Sequence, residues 1–122
     1  MDKNKERRVQ PDVHDLVVER VAEMLTHKHP GWSAYTNPGA ERNLAVGDCW
    51  PDVVLVDDMG AVRAIYEVET EDSVDLAHAT QRWIPSGNLG KDFHVVVPEE
   101  RAPATRRLIR QLQLNVRTLF LY

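Results

Sequence analysis

Residues 50–70 read WPDVVLVDDMGAVRAIYEVET. Val53 to Val56 is an apolar, mostly β-branched run, Asp57-Asp58-Met59-Gly60 carries turn residues, and Ala61 to Val68 resumes an extended, mostly apolar pattern. This pattern predicts a two-stranded hairpin with acids at its far end. If the turn closes with Asp58 opposite Ala61, Asp52 faces Glu67; with a loop two residues longer, Asp52 faces Ile65 and lies diagonal to Glu67. Side chains alternate along a strand, so either register puts Asp52, Glu67 and Glu69 on one face.

Carboxylates this close repel one another, and ionising them all away from water is costly without a compensating positive charge. A divalent cation would supply it. Mg²⁺ favours one or two protein carboxylates together with waters and a substrate phosphate, a ligand set this face can offer. The simpler reading makes Glu67 and Glu69 the solvent side of an edge strand, alternating with buried Tyr66 and Val68.

Pro51-Asp52, followed after fourteen residues by Glu67-Val68-Glu69, resembles the signature of the PD-(D/E)XK nuclease superfamily. The resemblance implies a restriction-endonuclease-like fold and phosphodiester hydrolysis dependent on Mg²⁺ or Mn²⁺, with DNA expected as substrate ahead of RNA. It implies a metal held by Asp52 and Glu67, with the main-chain carbonyl of Val68 completing the set. One position departs, since Glu69 stands where the signature has Lys. Similar members with Glu there include active enzymes, and others that lost the Lys are inactive, so fold follows more directly than activity. In the active reading Glu69 orients the attacking water or binds a second metal. The alternative is a catalytically inactive nuclease-fold module that binds a protein or nucleic-acid partner.

The chain has 122 residues, the length of one domain with a real core. Its hydrophobic fraction of 43% and charged fraction of 28% are ordinary for a globular protein. No apolar run reaches the roughly 18 residues that cross a bilayer, and no apolar signal region follows MDKNKERR, so a cytoplasmic location without a membrane partner is expected. The one cysteine, Cys49, excludes an internal disulfide and is expected to fill space beside the strand. A formal charge of -4 argues against nonspecific nucleic-acid binding by the whole surface. Local basic tracks are Lys3, Lys5, Arg7 and Arg8 in a flexible arm over residues 1–10, and Arg101, Arg106, Arg107 and Arg110 near the C-terminal end; a solvated tail and a solvated helix face describe them more simply. The nuclease-like domain is expected over residues 11–122.

From Pro11 to His27 the periodicity is helical, with Val13, Leu16, Val17, Val21, Met24 and Leu25 on one stripe. The resembled nucleases often carry a Glu on this helix that approaches the metal through water. Glu19 is the expected counterpart, because Glu19-x-x-Ala22-x-x-Leu25 resembles resolvase-like members, and Glu23 is the alternative, because it lies nearer the apolar stripe. His27 and His29 read as loop histidines, since no Cys or His cluster follows at zinc-finger spacing. Trp32 to Thr36 reads as a strand, Asn37-Pro38-Gly39 as a turn, and Ala40 to Cys49 as a loop in which Arg42 and Asn43 are candidates for phosphate contact.

After Glu69, Thr70-Glu71-Asp72-Ser73 offers N-cap chemistry for a helix through Val74, Leu76, Ala77, Ala79, Thr80 and Trp83 that stops at Pro85-Ser86-Gly87. The resemblance implies that this helix covers the active face and that Gln81 corresponds to a supporting Gln of one branch. Arg82, beside it, is a candidate to replace the missing Lys charge, although a guanidinium is no general base at neutral pH. Phe93 to Val97 reads as a buried strand, Ala104 to Leu112 as a helix behind Pro103, and Val116 to Leu121 as a last strand. This order predicts a single α/β domain of three layers with a mixed central sheet, in agreement with a restriction-endonuclease-like core. The apolar end Leu119-Phe120-Leu121-Tyr122 is either that buried strand or a surface for a second subunit, which makes a homodimer possible. A Gly-rich phosphate loop and a nucleophile elbow are both lacking.

Overall fold

The structure, a computed structural model, describes residues 12–39 and 41–122; the basic arm over residues 1–10 lies outside them. Helix α1 spans Val13–Lys28, followed by strands β1 (Ser33–Thr36), β2 (Val53–Val56) and β3 (Val62–Val68). Helix α2 runs through three contiguous segments, Leu76–His78, Ala79–Trp83 and Ile84–Gly87. Strand β4 (Asp92–Val97), a 3₁₀ turn (Glu99–Arg101), helix α3 (Ala102–Gln111) and strand β5 (Thr118–Leu121) complete the chain. The five strands form one sheet in sequence order, β1-β2-β3-β4-β5. β1, β2 and β3 are antiparallel neighbours, and β4 and β5 run parallel to β3. The fold is α/β with a mixed sheet.

The hairpin takes the shorter of the two registers. Val53 pairs with Tyr66 and Val54 with Ile65, which puts Asp52 level with Glu67, and the pairing shifts by one residue between Leu55 and Val56. Asp57 closes the turn, its Oδ1 accepting the N–H groups of Met59 and Ala61, each at 2.9 Å. Gly60 holds φ +83°, a conformation in which a Cβ is strained.

All four β2 residues are buried because both faces of the strand are covered, which is why VVLV lacks polar alternation. On one face Val18, Val21 and Leu25 of α1 pack on Val53, Leu55, Tyr66 and Val68. On the other, Ala79 and Trp83 of α2 and Leu108 of α3 meet Val54, Ile65, Val95 and Val97. The expected stripe of α1 is corrected: Val18 is its most buried member, and Val13, Leu16 and Met24 are exposed. The helix is turned so that Val18, Val21 and Leu25, spaced three and four apart, form the contact line.

Helix α2 ends at Gly87 but starts differently from the expectation. Its N-cap is Asp75, whose Oδ1 accepts the His78 N–H at 2.7 Å, and Ser73 is engaged elsewhere. Pro85 sits inside the last segment. Its ring crowds the preceding turn, and Ala79–Trp83 is widened into a π turn in which the Ile84 N–H reaches the carbonyl of Ala79. Among the described residues no helix is long and apolar enough to cross a membrane.

Candidate active site

Asp52, Glu67 and Glu69 are 4%, 1% and 1% exposed. The edge-strand reading of Glu67 and Glu69 is therefore overturned, since β3 lies between β2 and β4 and its acids face α2 rather than solvent. Strand alternation gives Glu67 and Glu69 the same side of the sheet, and the hairpin register delivers Asp52 beside them.

Every carboxylate oxygen of the three has a partner. Asp52 Oδ2 accepts the Val68 N–H at 2.8 Å, and its Oδ1 lies 3.2 Å from His14 Nε2 and 3.4 Å from Arg82 Nη2. Glu67 Oε1 accepts from Arg82 Nε at 3.0 Å and Nη2 at 2.9 Å, and Oε2 accepts from Ser86 Oγ at 3.0 Å. Glu69 Oε1 accepts from Ser73 Oγ at 2.7 Å and lies 3.0 Å from His78 Nε2, while Oε2 accepts the Trp83 indole N–H at 2.7 Å.

Most of these partners come from α2. His78, Arg82 and Ser86 are four residues apart, so they share one helix face, and that face lies over the acids. His14 comes from the first turn of α1, which Asp12 caps by accepting the His14 N–H at 3.3 Å. The His14 Nδ1 lies 3.1 Å from Asp15 Oδ1, so both ring nitrogens have a carboxylate partner.

Burial and the charge of Asp52 push the Glu67 carboxyl up to about 8, against the pull of Arg82 and Ser86. Burial also raises Glu69, opposed by its bonds from Trp83 and Ser73. The bond to Asp52 carries the His14 imidazole up to about 9, against the cost of burial. Burial opposes the Arg82 charge, yet Glu67 and Asp52 more than offset it and raise its pKa further. At neutral pH the acids thus lie among two organic cations, His14 and Arg82.

A cleft of about 390 Å³ opens beside Asp52, Val68 and Glu69, with His14, His78 and Arg82 on its walls. Glu67 lies on the far side of Arg82, on a second pocket of about 240 Å³ that Trp50, Gln81 and Ser86 also line. Arg82 is the partition between the two.

Glu19 and Glu23 do not reach this site. Both are exposed on α1, and at 100° per residue Glu19 points about 140° away from His14 and Glu23 about 180°. The residue of α1 that meets the acids is His14, whose other ring nitrogen lies against Asp15. Gln81 is exposed on the rim of the second pocket, and its neighbour Arg82 makes the contacts. Asn43 holds its own loop, its N–H bonded to Asn37 Oδ1 at 2.7 Å, and the Arg42 guanidinium lies 5.3 Å from the Trp50 ring centroid. In the C-terminal basic group, Arg101 donates to the Val74 carbonyl at 3.0 Å, whereas Arg106, Arg107 and Arg110 are exposed on α3.

His14, Ser73, His78, Trp83 and Ser86 are the site residues that sequence reasoning missed. The four-residue spacing of His78, Arg82 and Ser86 on a helix whose core residues are Ala79 and Trp83 was the available signal; His14 had none.

Among the described residues no group of three or more His, Cys, Asp and Glu side chains is disposed to hold a metal ion. The donor chemistry of Asp52 and Glu67 nevertheless suits a hard cation, because oxygens of both already converge on one cationic nitrogen, Arg82 Nη2. No protein-family model, curated protein or solved structure matches the chain.

Proposed function

We propose that the chain is a restriction-endonuclease-like hydrolase of phosphodiester bonds in DNA that works with Mg²⁺ or Mn²⁺. The observation that carries the reading is the convergence of two buried carboxylates, Asp52 and Glu67, on a single cationic nitrogen beside a solvent-open cleft. Supporting it is the element order, in which one helix, an antiparallel three-strand meander, a covering helix and a parallel strand follow one another. Burying three acids is unfavourable for stability, so their presence together is best explained by use.

Asp52 and Glu67 would hold the divalent cation, with the Val68 carbonyl as a further ligand. The cation supplies polarisation of the scissile phosphate and acidification of an attacking water. Glu69, fixed by Trp83 and Ser73 at the cleft wall, would accept the proton of the attacking water as the P–O3′ bond breaks, and the departing 3′ oxygen would take a proton from solvent. His14 and Arg82 bring positive charge to the phosphate oxygens.

Asp52→Asn and Glu67→Gln keep shape and remove the ligand charge. Each is expected to abolish Mg²⁺-dependent cleavage of labelled DNA while the circular dichroism spectrum is unchanged. Cleavage at the wild-type rate in either purified variant sinks the assignment. A second reading, a non-catalytic module for a protein or nucleic-acid partner, is favoured by the way Arg82 and His14 neutralise the acids unaided. Wild-type protein that neither binds divalent cations nor cleaves DNA or RNA would establish it instead.

A further inference from the structure

We infer that Arg82 is an exchangeable cation: its guanidinium holds the seat between Asp52 and Glu67 in the resting chain and leaves it when a divalent cation binds. The inference rests on the reading above and adds its regulation, since metal affinity is then set by competition with Arg82.

The bonds of Arg82 are uneven. Its Nε and Nη2 are 3.0 and 2.9 Å from Glu67 Oε1, but Nη2 is 3.4 Å from both Asp52 Oδ1 and the Trp50 carbonyl, at the long limit of a hydrogen bond. The guanidinium is therefore hinged on Glu67 and lightly held elsewhere. Its side chain is 38% exposed, against 1% for Glu67 and 6% for Asp52. Open volume lies on both sides of it, about 390 Å³ in the cleft and about 240 Å³ in the second pocket. It can leave the seat without displacing packed atoms.

Two other partners of the acids are enclosed, while the partly exposed His14 and His78 each touch only one of the three acids, Asp52 and Glu69 respectively. Trp83, which holds Glu69, is fully buried, and Ser86, which holds the second oxygen of Glu67, is 2% exposed. Arg82 is the side chain that bridges Asp52 and Glu67, which places the exchange at it. It also preserves charge compensation: an ionised, buried Glu67 stripped of its cation would be strongly disfavoured, and an arriving divalent cation replaces the charge that departs. The π turn Ala79–Trp83 carries Arg82, and such widened turns recur where a helix serves a site.

The test is Mn²⁺ binding to wild type, Arg82→Gln and Arg82→Lys by electron paramagnetic resonance, with thermal melting in the presence and absence of Mn²⁺. Removing the competitor and its like charge is expected to tighten Mn²⁺ binding of Arg82→Gln by about tenfold or more. Arg82→Lys, which keeps the charge but loses the fork, is expected to fall between. The melting temperature of Arg82→Gln should lie below wild type without metal and rise more than wild type with it. Should the Gln variant fail to fold without metal, the Lys variant supplies the affinity comparison. Equal or weaker binding in the variants overturns the exchange and leaves the divalent-cation reading standing; no binding in any of the three removes both.

Discussion

Trp83 donates its indole N–H to Glu69 Oε2 at 2.7 Å from a fully buried position behind the sheet. Ser73 holds the other oxygen, also at 2.7 Å. The position at which the resembled signature has Lys is thus built as a socket for an acceptor, lined by donors. Glu69 is the partner those donors require.

Placing a Lys at this position is therefore expected to harm the protein. Glu69→Lys sets an ammonium against the indole N–H of Trp83, while Asp52 is already occupied by His14 and Arg82. Leaving a buried charge without a partner costs about 3–5 kcal/mol, enough to unfold many domains of this size. Glu69→Gln keeps one acceptor oxygen and is expected to lose about 1–2 kcal/mol. Denaturant melts rank the two. A stable Glu69→Lys protein with faster Mg²⁺-dependent cleavage than wild type would show that the socket accepts a cation.

Stability should fall as pH rises across the neutral range. The Glu67 carboxyl stands at about 8 in the folded chain against an ordinary 4.5, so the folded state binds more protons and loses stability as pH climbs through that window. His14 stands at about 9 against 6.5; its contribution is complete below 6.5 and is lost as pH rises through 9. Both windows have the same sign. The melting temperature is expected to be higher near about pH 6 than near about pH 9. Glu67→Gln should flatten the profile on the acid side and leave the His14 window, while Asp52→Asn should shrink that window by removing the bond that raises His14. A melting temperature that climbs from about pH 6 to about pH 9 would contradict the shifts.

The hairpin was legible because a two-residue period and a Gly-bearing turn leave few registers, and the one observed, with Val53 against Tyr66, was among them. The acids followed from it, since alternation alone fixes their common face. The first helix was legible in extent but not in orientation. Helical periodicity gives angles around an axis; it does not say which end abuts the sheet, and His14 rather than Glu19 meets Asp52 for that reason. Ser73 could not be assigned because Thr70, Asp72, Ser73 and Asp75 all offer capping oxygens; the choice of Asp75 goes with Ser73 being bonded to Glu69 instead. Trp83 was read from its apolar bulk, whereas its polar N–H makes the contact at the site. The π turn arises within α2 just ahead of Pro85, a local insertion that average periodicity conceals.

Asn37, read from sequence as part of a turn, fastens the loop that leads into Asp52. Its Oδ1 accepts the N–H groups of Asn43 at 2.7 Å and Leu44 at 3.0 Å, and its Nδ2 donates to the carbonyls of Leu44 at 2.9 Å and Pro51 at 2.6 Å. The Asn37 N–H itself donates to the Asp52 carbonyl at 3.1 Å, and the residue is 6% exposed. Asn37→Ala deletes both sides of this clamp and strands several backbone groups, each worth about 1–3 kcal/mol if it stays buried and unpaired. Because the loop can loosen and rehydrate them, the expected loss is about 2–4 kcal/mol, with faster amide exchange at Asn43 and Leu44. Asn37→Asp is the sharper probe: it retains the acceptor for Asn43 and Leu44 but turns an oxygen toward the Pro51 carbonyl, so exchange at the two amides should stay slow while stability still drops. Wild-type stability in Asn37→Asp would mean that the bond to Pro51 contributes nothing to the placement of Asp52.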